Sequence, residues 1–387
     1  MYEDKKDNGL AHFLEHMCFK GTSKRPSSAA ISEEFDDLGA RNNAFTGAYS
    51  TGYWGKGHKK DSVKILDLVA DIYLDPVFPA TEIEKEKGVI IQEINMYEDN
   101  PSSKVSQVLD NLMYGDQAAG REIIGTKETV SSFTREDLVR YRETHYTPQN
   151  SVVVVAGGFD NAKIISEIKK KFGKVPKKKR PPLQKTVVKA TKPKVRIHFK
   201  ETDQTHFILS FYSYNMFDKR NSAIGALSTV LGGSMSSRLF KKMREELGIC
   251  YYIGTSVGSG MEDGTFSIYA GVANDRLEEA VEGVMSELRK IKAEIVEKEE
   301  LQRSKNISLS GLVLGLESSS EVADRCAFKE LYFDHIRTVE ESTKKIQAVT
   351  SKQIQSVAKE IFETKKANLA VVGPHKDGGK LEKLLKF

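Results

Sequence analysis

The chain repeats itself, and the repeat constrains its architecture before any single residue is weighed. Phe133-Thr134-Arg135-Glu136-Asp137-Leu138 opens a helical pattern, the apolar run Asn150-Ser151-Val152-Val153-Val154-Val155-Ala156-Gly157 follows, and a second helical pattern runs through Ile164 to Phe172. The same order returns in Val349-Thr350-Ser351-Lys352-Gln353-Ile354, in Asn368-Leu369-Ala370-Val371-Val372-Gly373, and in Leu381 to Phe387. The two threonines stand 216 residues apart and the two asparagines 218. Self-similarity of this kind means two copies of one unit. In each copy a Thr suits the N-cap of a helix, and that helix feeds a short apolar run ending in Gly, which reads as a buried strand. The expected fold is α+β, with two homologous α/β sandwich domains, each a mixed sheet flanked by helices.

The repeat also exposes a gap. In the second half the strand-like segments Val195 to Phe199 and Thr205 to Tyr212 precede a helix that begins near Asn221. In the first half the matching helix begins near Asn8, with only seven residues before it. The first domain is therefore expected to be short of its N-terminal strands, as in a chain that is a fragment or starts late. The Pro/Lys-rich stretch Val175 to Lys194 has neither helical nor strand periodicity and reads as a connector. These boundaries give an N-terminal domain over 1–180, a linker over 181–194 and a C-terminal homologous domain over 195–387.

A length of 387 residues suits two domains of about 100–200 residues each. With 39% hydrophobic and 29% charged residues the chain has the composition of a globular protein. No stretch approaches the roughly 20 apolar residues of a membrane-spanning helix, so no membrane association is expected. Met1 to Asp7 is charged and carries neither a secretory apolar core nor an Arg-rich transit pattern, which makes a cytoplasmic location the expectation. The net charge of +5 is spread over 59 basic and 54 acidic residues. The densest basic run, Lys169 to Arg180, has no interleaved aromatic residue beyond Phe172 and reads as a solvated linker, so no nucleic-acid partner is expected. Cys18, Cys250 and Cys326 are odd in number and irregular in spacing, which argues for reduced core thiols rather than a disulfide framework.

Chemistry concentrates in His12-Phe13-Leu14-Glu15-His16. On a helix, positions i, i+3 and i+4 share a face, so His12, Glu15 and His16 project together. Two imidazoles one turn apart can share a zinc ion, whose catalytic sites use three protein ligands and leave a fourth position open. Glu15 beside that position would take a proton from an attacking water. A core helix that merely carried two histidines would have to bury Glu15 between them without a partner. The helix is expected to start at Asn8-Gly9, bury Phe13, Leu14 and Met17, and stop near Gly21. A further ligand should come from elsewhere, and Thr81 to Asn100 is a second helical segment, opened by Pro79 and closed by Asn100-Pro101. Glu86 and Glu93 share a stripe on it, seven residues being close to two turns, but Glu82, Glu84 and Glu98 lie on the same segment and periodicity does not choose among them.

The run His12-Phe-Leu-Glu-His16-Met-Cys-Phe-Lys-Gly-Thr22 resembles the inverted zincin motif of the insulinase and pitrilysin metallopeptidases, most closely the branch of mitochondrial processing peptidase and its bacterial relatives. That resemblance implies a zinc metalloendopeptidase with one zinc per chain. It places the third ligand, 77 residues after His16, on Glu93, and an auxiliary catalytic glutamate, seven residues earlier, on Glu86. It also implies that Asn43-Ala44-Phe45-Thr46 is the strand that pairs with an extended substrate, with Asn43 and Ala44 as substrate-binding residues. Gly125-Thr126 and Tyr146-Thr147-Pro148 match as well. In the second half, Gly233 to Phe240 and Arg244-Glu245-Glu246-Leu247-Gly248-Ile249-Cys250-Tyr251 resemble the segment that carries the family's substrate-side Arg and Tyr, here Arg244 and Tyr251. A cation and a phenol suit stabilisation of an oxyanion. The implied substrates are peptides or unfolded segments entering as an extended strand.

Gly232-Gly233-Ser234 lacks the Lys-Ser/Thr ending of a phosphate loop and reads as a turn. His58, His145, His206, His335 and His375 have no spacing partner and are given no role. Within the resembled family some chains pair as unlike subunits that divide the zinc motif from the Arg and Tyr. This chain has both sets, which points to a homodimer. The alternative is a non-catalytic or N-terminally truncated subunit serving as scaffold or partner, with an uncovered sheet edge as its liability.

Overall fold

A computed structural model describes residues 1–179, 181–333 and 336–387, so Arg180 at the end of the basic run and His335 lie outside the described residues. The chain is α+β and forms two compact units. One comprises Met1–Met96, Arg121–Gln184 and Gly315–Ile336, and the other Tyr97–Gly120, Lys185–Leu314 and Arg337–Phe387. The units thus differ from continuous halves by two exchanged segments, 97–120 and 315–336.

In the first unit α1 (Leu10–Met17) and α2 (Ser28–Asp37) precede a hairpin of β1 (Arg41–Thr46) and β2 (Thr51–Lys56). The strands pair antiparallel, from Arg41 opposite Lys56 to Thr46 opposite Thr51. Ile31 and Phe35 of α2 meet Ile65, Leu68 and Ile72 of α3 (Ser62–Leu74), with Tyr53 of β2 packed against them. Helix α4 runs Ala80–Asp99, and Asn100 then caps the next helix with Pro101 in its first turn, where a missing N–H is harmless. Thr134 accepts from the Asp137 amide in a capping box at the start of a helix over Arg135–His145, and Asn161–Phe172 is helical, as the repeat requires.

The second unit holds a five-stranded sheet in the order β3-β7-β4-β6-β5, where β3 is Lys194–Phe199, β4 Gln204–Tyr212, β5 Cys250–Ser259, β6 Gly264–Ala273 and β7 Ala367–Gly373. Only β3 and β7 run parallel. Alternate residues of β4 face opposite sides, so Phe207, Leu209 and Phe211 join the core beneath helices Asn221–Gly232, Leu277–Ala293 and Ser351–Ile361. Ile208 and Tyr212, with Ala370 and Val372 of β7, face Val105, Val108, Leu109 and Met113 of α5 (Pro101–Tyr114). That second apolar face is why 97–120 belongs with this unit: strands buried on both sides read as unbroken hydrophobic runs and need a helix over each face.

The strand expected at Val152 to Ala156 is not formed; residues 151–156 have no ladder partner among the described residues. Its counterpart β7 lies between β3 and β4, and the first half of the sequence offers no such pair ahead of α1. No helix among the described residues is long and apolar enough to cross a membrane. Cys18 and Cys250 are buried free thiols, whereas Cys326 is only half-buried and so is not a core residue.

Candidate metal centre

Helix α1 is fixed at its start by backbone that tolerates no side chain. Gly9, its N-cap, has φ +98°, and a Cβ there would stand 2.8 Å from Gly125 Cα. The Glu3 carboxylate accepts from the Gly9 and Ala11 amides at 3.0 and 2.6 Å, and Asn8 Nδ2 donates to the Glu122 carbonyl at 2.8 Å. These contacts satisfy donors that a helix start leaves unpaired. Leu10, Phe13, Leu14 and Met17 are buried at the i, i+3, i+4, i+7 spacing of one stripe. The remaining face presents His12, Glu15 and His16. The helix ends at Met17, a turn earlier than the glycine at 21 suggests.

Glu93 and Glu86 both come from α4. One donor atom each from His12, His16 and Glu93 lies within 4.8 Å of the others. Glu93 Oε2 is 3.8 Å from His12 Nε2 and 3.7 Å from His16 Nε2, too long for hydrogen bonds but close to the separation of two donors on one ion with bonds of about 2.0–2.2 Å. His12 Nδ1 is buried without a hydrogen-bond partner, and burial, with His16 nearby, pushes the ring's pKa down to about 4. A neutral imidazole whose Nε2 faces the Glu93 carboxylate, a second imidazole and that carboxylate form a donor set that fits zinc.

Glu86 divides its two oxygens. Oε1 is 2.7 Å from His16 Nδ1 and Oε2 is 2.7 Å from Lys20 Nζ. Burial raises the carboxyl's pKa, but the hydrogen bonds from His16 and Lys20 outweigh it and hold Glu86 below the ordinary range. With Nδ1–H directed at Glu86, His16 keeps the Nε2 lone pair for a ligand's task. Glu86 is 3% exposed with both oxygens engaged, which makes it a support for His16 rather than a group open to substrate.

Glu15 is buried, and burial raises its pKa against the opposing hydrogen bond from the Thr46 hydroxyl to Oε2. Thr46 closes β1, and its hydroxyl also lies 3.3 Å from that of Thr51. The edge of β1 away from β2 has no strand partner among the described residues. On β1 the Ala44 amide donates to the Asn43 side-chain carbonyl at 2.9 Å, a local substitute for a neighbouring strand.

Arg244 and Tyr251 belong to the second unit, where two irregularities set them. Arg244 lies in the wide helical turn Lys241–Glu246, and Tyr251 is the extra residue of a bulge where β5 shifts register between Cys250 and Tyr252. Arg244 Nη1 donates to the Tyr251 carbonyl at 2.8 Å, and its guanidinium sits 5.5 Å from the Tyr251 ring, which is 74% exposed. Of the histidines given no role, His58 accepts from the Lys60 amide, His145 stacks on Tyr141, His206 bonds Tyr252 and His375 bonds Thr205.

Lys20 falls within the run that carries the family resemblance, but nothing in the sequence attaches a role to it. It lies four residues past His16 but beyond the end of α1, so helical spacing does not place it. Thr46 sits within a segment already marked, though nothing there ties it to Glu15. Glu3, as a cap reaching forward to α1, carries no pattern either.

Comparison with known proteins adds a family and a fold. The model described as Insulinase (Peptidase family M16) matches residues 1–127, and that described as Peptidase M16 inactive domain matches residues 132–308. An uncharacterized zinc protease of Bacillus subtilis (strain 168) is 34% identical over 374 residues, covering 96% of this chain and 90% of that protein. One from Streptomyces coelicolor is 32% identical over 376 residues, covering 96% and 82%. Among solved structures, a protease from Helicobacter pylori superposes with a TM-score of 0.89 at 21% identity, covering 96% of this chain and 90% of that one. A peptidase M16 inactive domain from Pseudomonas fluorescens gives 0.86 at 18%, covering 97% and 92%. At those identities the structural likeness speaks for the fold.

Proposed function

The chain belongs to the insulinase family of peptidases, and from that membership we propose that it is a zinc endopeptidase acting on peptides or unfolded segments, with His12, His16 and Glu93 as the residues that would hold the metal. The observation that carries this reading is the convergence of those three donors within 4.8 Å beside a buried Glu15. Zinc, when bound, supplies Lewis acidity that acidifies a water and polarises an amide carbonyl.

Glu15 does the proton work. Its Oε2 is held by Thr46, leaving Oε1 to accept a proton from the attacking water and then to return it to the departing amine nitrogen. Burial suits it to that cycle, because a carboxylate with a raised pKa is the better base. Glu86 keeps His16 in one tautomer. The open edge of β1 can accept an extended segment as an added strand, with a substrate carbonyl replacing Asn43 Oδ1 on the Ala44 amide. Arg244 and Tyr251 enter as substrate contacts on the resemblance of their segment. Since one chain carries both sets of residues, the reading needs no second kind of subunit and is compatible with a homodimer.

The test is cleavage of an unfolded peptide by the wild type and by Glu15→Gln. Activity in the wild type, lost in the variant while zinc is retained, supports the reading. A folded, zinc-loaded wild type that cuts no unfolded peptide would favour a non-catalytic partner role instead.

A further inference from the structure

Lys20 stands at the end of a relay that the reaction's own groups do not include. Its backbone is tied to α1, because the Lys20 amide donates to the Met17 carbonyl at 3.2 Å and the preceding Phe19 amide to the His16 carbonyl at 3.1 Å. The next residue, Gly21, turns away with φ +134° in a place where a Cβ would stand 2.8 Å from the Pro26 carbonyl oxygen. The Gly21 carbonyl then accepts from the Val77 amide at 3.1 Å, so the backbone on both sides of Lys20 is anchored. From there the side chain, 22% exposed, reaches the nearly buried Glu86 at 2.7 Å.

We propose that Lys20 is a positioning residue for the metal: by binding Glu86 Oε2 it fixes the carboxylate plane, so that Oε1 holds His16 Nδ1 and aims Nε2 at the ion. The inference rests on the zinc reading above. A carboxylate inside the protein with only one oxygen engaged can turn about its last bond, and the imidazole that depends on it turns with it. Groups that orient a metal-binding histidine typically affect metal affinity by about 10–100-fold. The Lys20 ammonium makes no contact with His12, Glu15 or Glu93 among the interactions described, so its effect must pass through Glu86.

The experiment measures zinc affinity of the full chain by competition with a chromophoric chelator, for the wild type, Lys20→Met, Lys20→Arg, Glu86→Gln and the double variant Lys20→Met/Glu86→Gln. Far-UV circular dichroism and the melting temperature of the zinc-free proteins check folding. The expected result is about 10-fold or greater weakening in Lys20→Met, partial recovery in Lys20→Arg, and a double variant no weaker than Glu86→Gln alone, because a residue that acts only through another adds nothing once that one is changed. If Lys20→Met binds zinc as tightly as the wild type while Glu86→Gln does not, the inference is wrong. Additive losses in the double variant overturn it too, since they mean Lys20 acts by another route. Should Lys20→Met fail to fold, Lys20→Arg and Glu86→Gln still decide: equal affinity of Lys20→Arg and Glu86→Gln, both weak, refutes the recovery expected from a retained cation. A wild type that binds no zinc removes the reading itself, an outcome distinct from all of these.

Discussion

The Thr46 hydroxyl donates to the Glu15 carboxylate, so the last residue of β1 and the general base of the proposed reaction are joined by one hydrogen bond. The strand that would receive an extended substrate therefore also orients the group that moves the proton. Removing the hydroxyl leaves a buried carboxylate oxygen short of a partner. Hydrogen bonds to charged groups contribute about 1.5–3 kcal/mol, so Thr46→Val is expected to lower kcat by roughly tenfold or more. Thr46→Ser should keep most of the activity. Steady-state kinetics on an unfolded peptide checks both, and equal kcat in wild type and Thr46→Val would remove Thr46 from the account.

The backbone at Gly9 makes a separate claim about what holds α1 in place. Gly9→Ala must adopt φ +98° with a methyl group 2.8 Å from Gly125 Cα. Strain of that kind costs about 1–3 kcal/mol. The variant is expected to melt at a lower temperature and to bind zinc more weakly, because the helix that carries both histidines must shift. Unchanged melting would show that the approach of Gly9 to Gly125 is looser than it looks.

Helix α5 is expected to behave as part of the second unit's core. Leu109→Ala empties space between α5 and the second face of the sheet, where Ile208 and Val372 also lie. Truncating a buried Leu costs about 2–5 kcal/mol. Denaturant unfolding should register that loss, and a value within 0.5 kcal/mol of wild type, roughly that of a surface change, would contradict this placement.

Acid should destabilise the protein in part through His145. Burial drives its pKa down from 6.5 to about 4, with Asp7 opposing and Arg140 assisting. Below pH 6.5 the unfolded chain takes up a proton that the folded chain refuses, so stability falls as pH drops from 6.5 to about 4 and is insensitive to this group above that window. After allowance for solvent screening the effect is on the order of 2 kcal/mol. His145→Gln should flatten the fall in melting temperature between pH 6.5 and 4, and an unaltered slope would count against the burial.

Much of this was legible in the order of residues, for reasons that can be stated. His12, Glu15 and His16 lie within one turn and a half, so local geometry alone places them on one face. Repeated N-cap chemistry located helices at Thr134 and Thr350, because a cap is a local hydrogen bond. Long-range choices were not legible in that way. Glu93 was one of several glutamates on α4, and helical periodicity is silent on which carboxylate meets α1. Lys20 and Glu3 act across turns that have no period. The valine run at 152–155 has strand composition, yet a strand is defined by its neighbours, and no ladder partner is found for it among the described residues. The destination of α5 was equally hidden, since an amphipathic helix records that it packs but not against what.

The central claim is that His12, His16 and Glu93 hold zinc, and elemental analysis of the purified full chain, with Glu93→Gln in parallel, tests it most directly. The expected result is one zinc per chain in the wild type and a large loss in the variant. A folded wild type that remains metal-free after incubation with zinc, or a Glu93→Gln variant that retains a full equivalent, would contradict it.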